Sequence, residues 1–147
     1  MKILNPNLVK ITKLLSDGDY HDGTSIGKEL NITRSAVWKV IKKLEKYAIP
    51  LTSIKGKGYC LNSPLLLLDQ KKIKSNIRDS SVQLDVLEKT YSTNDYLKQH
   101  TNTNNNIQIC IAESQTQGKG RLQRRWHSPF GQNIYLSMLY PFQKRYK

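Results

Sequence analysis

Acidic side chains are scarce in this 147-residue chain. Eleven Asp and Glu stand against 24 Lys and Arg, a formal charge of +13, and none of the eleven lies beyond Glu113. A surplus of that size points to polyanionic partners. Cysteine is nearly missing as well. Cys60 and Cys110 lie far apart, each in a strand-like run. Two such residues make neither a disulfide framework nor a metal-ligand set, and they fit a reduced, cytoplasmic compartment. Long apolar runs are lacking too. Leu65–Leu68 falls well short of the ~20 residues that cross a bilayer, and the amino terminus has no signal-peptide pattern, so no membrane association is expected. Internal repeats are absent, and the one biased patch, Thr101–Asn106, reads as a loop. The length allows one ordinary domain, or a small one plus part of another.

What is present begins with a small basic head. Pro6 to Leu15 has helical spacing, with Leu8, Ile11, Leu14 and Leu15 on one face and Gly18 as the stop. A short helix follows, with Thr24 or Ser25 as N-cap and Ile26 and Leu30 inward. After an Asn31-Ile32 turn, Thr33 caps a longer helix reaching about Tyr47. Ala36, Val37, Val40, Ile41 and Leu44 form its apolar face, opposite Arg34, Ser35, Trp38, Lys39, Lys42, Lys43 and Lys46. Two short strands around Gly56-Lys57-Gly58 then make a hairpin carrying Lys55 and Lys57. This order matches a winged helix-turn-helix that offers its longer helix to the major groove of DNA. Residues 1–61 carry eleven Lys and Arg and five Asp and Glu, a net +6 that agrees. Arg34, Ser35 and Lys39 are placed for base edges, while Lys42, Lys43, Lys55 and Lys57 suit phosphates. Trp38 either joins that surface at thymine methyls or packs against a neighbour, the commoner fate of an indole.

Pro64 disfavours helix at Ser63 and marks a boundary. The expected division is a winged head over 1–63 and an incomplete mixed α/β domain over 64–147, α+β as a whole. Leu65 to Ile77 reads as a helix and Val82–Lys89 as a half-buried strand. Ser92-Thr93-Asn94 would cap a helix ending near His100. Asn106–Ala112 and Asn133–Tyr140 read as strands. Between these last two lies the densest feature of the chain, Gly118–Trp126, with the sequence GKGRLQRRW. Glycine lets backbone N–H groups close on an anion, and arginine adds bidentate donors. An indole offers a flat face to a base. The run is neither a Walker A loop nor a dinucleotide fingerprint. By spacing alone it is a nucleotide site or simply a long cationic turn.

Three motifs in order, Ser92-Thr93-Asn94, AESQTQGKGR (Ala112–Arg121) and W-x-SPFGQNIYLS (Trp126–Ser137), resemble the bifunctional biotin protein ligase and biotin operon repressor family. That family also carries a helix-turn-helix head, and the similarity runs from the first helix to about Tyr140. The resemblance implies a class II synthetase-like ligase fold. It further implies Mg-ATP-dependent activation of biotin to biotinyl-5′-adenylate, then transfer to a lysine of a carboxylase carrier domain. Ser92, Thr93, Asn94 and Gln115 would contact biotin, with Lys119, Gly120 and Arg121 on the ligand loop. Gly118, Arg121, Arg124 and Trp126 would face the adenylate. No residue of this stretch matches the family's catalytic lysine, which lies downstream. A ligand-bound homodimer on a palindromic operator completes the family picture.

Departures accompany the match. Where the family has GRGRRGR, this chain reads GKGRLQR, so Lys119 loses the arginine fork. Leu122 replaces an arginine, and Gln123 replaces a glycine, with an expected loss of loop flexibility. The chain reads as an amino-terminal portion, expected to lack full ligase activity. The alternative function is a winged-helix regulator whose second domain senses a ligand without catalysis. In a third reading, the strands near Val82–Leu87, Ile107–Ile111 and Ile134–Leu139 lack sheet partners and aggregate.

Overall fold

Apolar residues at helical spacing decide how the head folds. In a computed structural model, which describes residues 2–100 and 106–142, α1 (Pro6–Leu14) buries Leu8 and Ile11, and a 3-10 turn at Leu15–Asp17 buries Leu15. Thr12, rather than the expected Leu14, takes the remaining interior position, because its hydroxyl donates to the Leu8 carbonyl at 2.8 Å. A satisfied hydroxyl can be buried cheaply. Gly18 ends the turn in the left-handed region, φ 90°.

The second helix, α2 (Gly23–Leu30), starts two residues earlier than the nearer expected cap, Thr24, allows. Asp22 is the N-cap, accepting from the Thr24 and Ser25 amides. The Ser25 hydroxyl, followed by those amides, holds its carboxyl down at about 2. A carboxylate at a helix start outcompetes the neutral hydroxyls because it also meets the positive end of the dipole. Ile26 is buried, whereas Leu30 is only half-buried. Asn31 makes the turn at φ 52°, and Thr33 caps α3 (Arg34–Lys46) as its sequence demands. Val37, Val40, Ile41 and Leu44 of α3 close the core, with Ala36 half-buried beside them.

The hairpin is β2 (Leu51–Ile54) with β3 (Gly58–Leu61), antiparallel in register Leu51↔Leu61 to Ile54↔Gly58. It is tied to the turn before α2 by paired His21 and Tyr59 backbone hydrogen bonds, both 2.9 Å. Gly58 is obligatory here: it sits at φ 108°, and a Cβ would lie 2.1 Å from the His21 carbonyl oxygen.

The chain divides into two compact units, Asn5–Leu67 and a second that begins at Leu68 and takes in the strand at Lys2–Ile3. The second unit is built on a four-stranded mixed sheet, order β1-β4-β5-β8: β1 (Lys2–Ile3), β4 (Gln83–Lys89), β5 (Gln108–Ala112) and β8 (Tyr135–Leu139). β4 and β5 are parallel, linked by α5 (Thr93–Gln99), and β8 returns antiparallel to β5. The strands thought to lack partners pair with one another. Nothing in a two-residue strand announces itself, so β1 is invisible in the sequence. The Thr101–Asn106 loop lies outside the described residues except for Asn106.

The helix expected over Leu65 to Ile77 is confined to α4 (Gln70–Ser75), capped by Asp69. Leu65 is held off helix by Ser16, whose Oγ accepts its N–H at 3.0 Å. Leu68 donates its N–H to the Glu113 carboxylate. β4 is buried on both faces at its end, where Val86, Leu87 and Glu88 all lie inside, so simple alternation fails there.

Glu113 and Glu88 are thus two buried carboxyls in one unit. Burial raises Glu113 from 4.5 to about 7; the Leu68 N–H opposes that shift and the Glu88 charge adds to it. The unfolded chain therefore releases this proton first, and stability falls as pH rises from 4.5 to about 7. Glu113→Gln keeps an acceptor for Leu68 and removes the titration. It is expected to flatten that fall and to stabilise the protein above neutrality by no more than ~3 kcal/mol. Urea unfolding at about pH 5 and pH 8 checks this, and an unchanged pH dependence in the variant would disprove it.

Candidate functional site

Parallel strands that end together place their following turns side by side, at the edge where α/β sheets hold ligands. β4 and β5 do this. Beyond them Thr90 and Ser114, Thr116 and Thr90, and Gln117 and Tyr91 continue the backbone pairing at 3.2, 3.0 and 2.8 Å. α5 starts from the first turn with Ser92 as N-cap, its Oγ 3.4 Å from the Asp95 amide.

Gln115, from the second turn, clamps the arrangement. Its Oε1 accepts from the Thr93 N–H at 2.8 Å and the Thr93 hydroxyl at 3.2 Å. Its Nε2 donates to Ser128 Oγ at 3.2 Å. Thr93 Oγ1 also lies 2.8 Å from Ser137 Oγ on β8. Thr93 has one hydroxyl proton, given to Gln115, so Ser137 is the donor in that second bond. Ser92, Thr93, Ser114 and Ser128 are all buried. The structure therefore brings Ser92, Thr93 and Gln115 together and adds Ser128 and Ser137, which sequence reasoning passed over. A lone serine in the apolar run Tyr135–Leu139 was the available signal. Asn94 is exposed.

Next to this cluster, β6 (Gly118–Lys119) and β7 (Arg125–Trp126) form a small hairpin, closed by the Gly120 N–H on the Arg124 carbonyl at 2.7 Å. Gly118 is the contact point. A Cβ there would lie 2.8 Å from Ser128 Oγ and 3.1 Å from both Gln115 Nε2 and the Trp126 carbonyl. Lys119 is tethered by Asp95, 2.7 Å away, and Arg125 Nη2 donates to the Thr116 carbonyl at 3.1 Å. Arg121, Arg124 and Trp126 are exposed on the hairpin, with the Trp126 ring against Gly120. Left-handed backbone falls at Leu122, φ 55°, not at Gln123. The strain of the altered motif thus sits in the leucine, at roughly 1–2 kcal/mol.

In the head, α3 presents Arg34, Ser35, Trp38, Lys39 and Lys42 on its exposed side. Trp38 is half-exposed rather than packed away; with Gly23, Arg34, Ser35 and Tyr59 it lines a groove of about 360 Å³ between α3 and the hairpin. Lys55 and Lys57 are exposed on the hairpin turn. Two cations are already engaged. Lys42 Nζ lies 2.7 Å from Glu45, and half-buried Lys43 sits 6.0 Å from the Tyr47 ring centroid.

These features define a winged helix-turn-helix joined to part of a ligase-type sheet. Residues 7–60 match the family described as HTH domain, and residues 86–147 match the Biotin/lipoate A/B protein ligase family. The chain is homologous to proteins named bifunctional ligase/repressor BirA. It is 37% identical to that of Salmonella typhimurium over 134 residues, covering 91% of this chain and 41% of the relative. For Escherichia coli K12 the figures are 38% over 136 residues, 92% and 42%, and for Bacillus subtilis 168 they are 30% over 129 residues, 82% and 38%. The chain spans about two fifths of the length of these relatives.

Because a Cβ at Gly118 would meet both Gln115 Nε2 and Ser128 Oγ, Gly118→Ala is expected to destabilise the protein by about 1–3 kcal/mol. Leu122→Gly, which removes left-handed strain at an exposed site, is expected to cost little or nothing. Thermal unfolding of the two variants separates them. A Gly118→Ala protein as stable as the parent would show that the clamp tolerates displacement.

Proposed function

We propose that this chain is the amino-terminal part of a biotin-dependent repressor and biotin protein ligase. In this reading residues 1–63 act as the DNA-binding head and 64–147 as the first part of the catalytic domain. The observation that carries it is the Thr93–Gln115–Ser128 cluster set against a cationic hairpin, in a chain that also holds a winged helix-turn-helix. Biotin presents a ureido ring, rich in amide donors and a carbonyl acceptor, and a carboxylate. Thr93, Gln115 and Ser128 offer matching hydroxyl and amide groups, with Ser92 and Asn94 at the start of α5. Lys119, Arg121 and Arg124 supply positive charge for phosphate around Gly120, and Trp126 supplies a face for adenine.

In the reaction, the biotin carboxylate attacks the α-phosphate of ATP, pyrophosphate leaves, and a carrier lysine then displaces AMP from the acyl group. Fixed cations placed where negative charge develops are the main lever for such a step. Mg²⁺ belongs to ATP in this chemistry. Among the described residues no group of three His, Cys, Asp or Glu side chains is placed to hold a metal. Likewise, among the described residues no helix is long and apolar enough to cross a membrane. Operator DNA, a carboxyl carrier domain and a ligand-bound homodimer are the partners this reading carries.

Calorimetry with biotin tests the ligand half. Binding is expected, and Gln115→Leu should weaken it at least about tenfold, the worth of one or two hydrogen bonds. Heats indifferent to Gln115 and Thr93 would overturn the assignment. The DNA half is tested by the salt dependence of duplex binding. Lys57→Ala should lower the slope of log K against log salt by about one, and Lys42→Ala by less, since Glu45 already neutralises that ammonium. A slope unmoved by either change, or by Lys39→Ala, would remove the head from this role.

A further inference from the structure

Trp38 stands in the middle of the exposed side of α3, one turn after Arg34 and one turn before Lys42. Residues four apart on a helix are surface neighbours, so the indole has a cation on either side. It is 51% exposed. The ordinary reasons for keeping so large a ring at a surface are missing. Among the described residues it stacks on no other ring, and no cation lies over its face. Apolar area of this size left open to water is a signal of something that covers it.

The groove beside it is a rigid one. Arg34 Cγ and the Tyr59 ring each lie 3.6 Å from the point where a Cβ on Gly23 would stand. Tyr59 is in turn fixed by its backbone pairing with His21. The Ser35 hydroxyl is engaged by Thr33, Oγ to Oγ1 at 2.9 Å, and Lys42 by Glu45. Arg34 has no ion pair among the described residues, and Lys39 is exposed next to Trp38. The groove therefore offers aromatic walls at Trp38 and Tyr59, with positive charge at its rim.

We propose that this groove takes the C5-methyl group of a thymine, with Trp38 as the residue that selects it. The proposal rests on the reading of the head as DNA-binding. Cations at the rim favour a duplex over a neutral or basic partner. In the major groove the base edges present donors and acceptors, and the thymine methyl is the apolar feature among them. An indole set against it removes apolar surface from water on both sides. Against uracil or cytosine the same ring meets no methyl. Arg34 and Lys39 thus supply attraction, and Trp38 supplies discrimination.

The alternating copolymers poly(dA-dT) and poly(dA-dU) differ only in that methyl and present the difference in every register. The whole 147-residue chain is expected to bind the first about three to four times more tightly, the worth of one buried methyl. Trp38→Ala should bring the ratio to about one while leaving the slope of log K against log salt as it was, since no charge is lost. Trp38→Phe, which keeps an aromatic face, should retain part of the preference. Should Trp38→Ala fail to fold, Trp38→Gln, equally without a ring, is expected to give the same loss. Equal affinity of the parent for the two polymers, or a preference that survives removal of the ring, would overturn this proposal alone. Absence of salt-dependent binding to either polymer would overturn the DNA-binding role of the head, and this proposal with it.

Discussion

A single carboxamide organises the second unit. Gln115 reaches from the turn after β5 to the first residue of α5 with its oxygen, and to Ser128 with its nitrogen. Through Thr93 the bridge extends to Ser137 on β8. Three separate pieces of chain are thus held by the two ends of one planar group. Glutamine is suited to this because it offers acceptor and donor at once, whereas a carboxylate would lack the donor and leave Ser128 to find another. The clamp works only because Gly118 has no side chain to intrude on it, and because β4 and β5 run parallel and finish level. Burial of Thr93 and Ser128 raises the stakes. In a low-dielectric setting each of these bonds is stronger, and each one lost is more expensive.

The head follows a similar economy on a smaller scale. Its core is three helices closed by Leu8, Ile11, Ile26, Val37, Ile41 and Leu44, all essentially without solvent contact. The hairpin contributes Cys60 and Leu61 to the core and is fixed by backbone pairing between His21 and Tyr59, possible only with glycine at 58. That pairing sets the distance between α3 and the hairpin, and with it the groove where Arg34, Ser35, Trp38 and Tyr59 meet. A surface meant to read a duplex needs such rigid spacing more than it needs a large core.

Much of this was legible in the residues, for identifiable reasons. Thr33 and Ser92 act as caps because hydroxyl before a helix has few other uses, and the helices they start run as their apolar spacing demands. Strong local chemistry is easy to read. The failures came where a distant group overrode a local preference. Leu65–Leu68 looks helical until Ser16 and Glu113 claim its backbone amides. Thr12 has no place on the apolar face of α1 until its hydroxyl is seen bonded within its own helix. Asp22 was passed over for Thr24 and Ser25, although its carboxylate is the better cap. Ser128 and Ser137 were missed because their partners, Gln115 and Thr93, lie on other elements. Motif order placed Gln115 in the site, but only the fold shows that it is a hub.

One consequence concerns how a ligand would enter the proposed site. Among the described residues every buried side-chain polar atom around Gln115 already has a partner, so binding would be an exchange of hydrogen bonds and not the filling of vacant ones. Exchange yields little net energy per bond, on the order of 1 kcal/mol. Affinity must then come from charge and from ordering a loop, and here the altered hairpin matters. Leu122 holds a left-handed turn that glycine would adopt freely, which narrows the range of loop shapes before any ligand arrives. A stiffer loop loses less entropy on closing if its shape is already right, and gains nothing if it is not. Lys119, bound to Asp95 at the first turn of α5, favours the first case. It fastens the hairpin to the helix that Gln115 positions, so the cationic arm and the neutral cluster are set relative to each other within one unit.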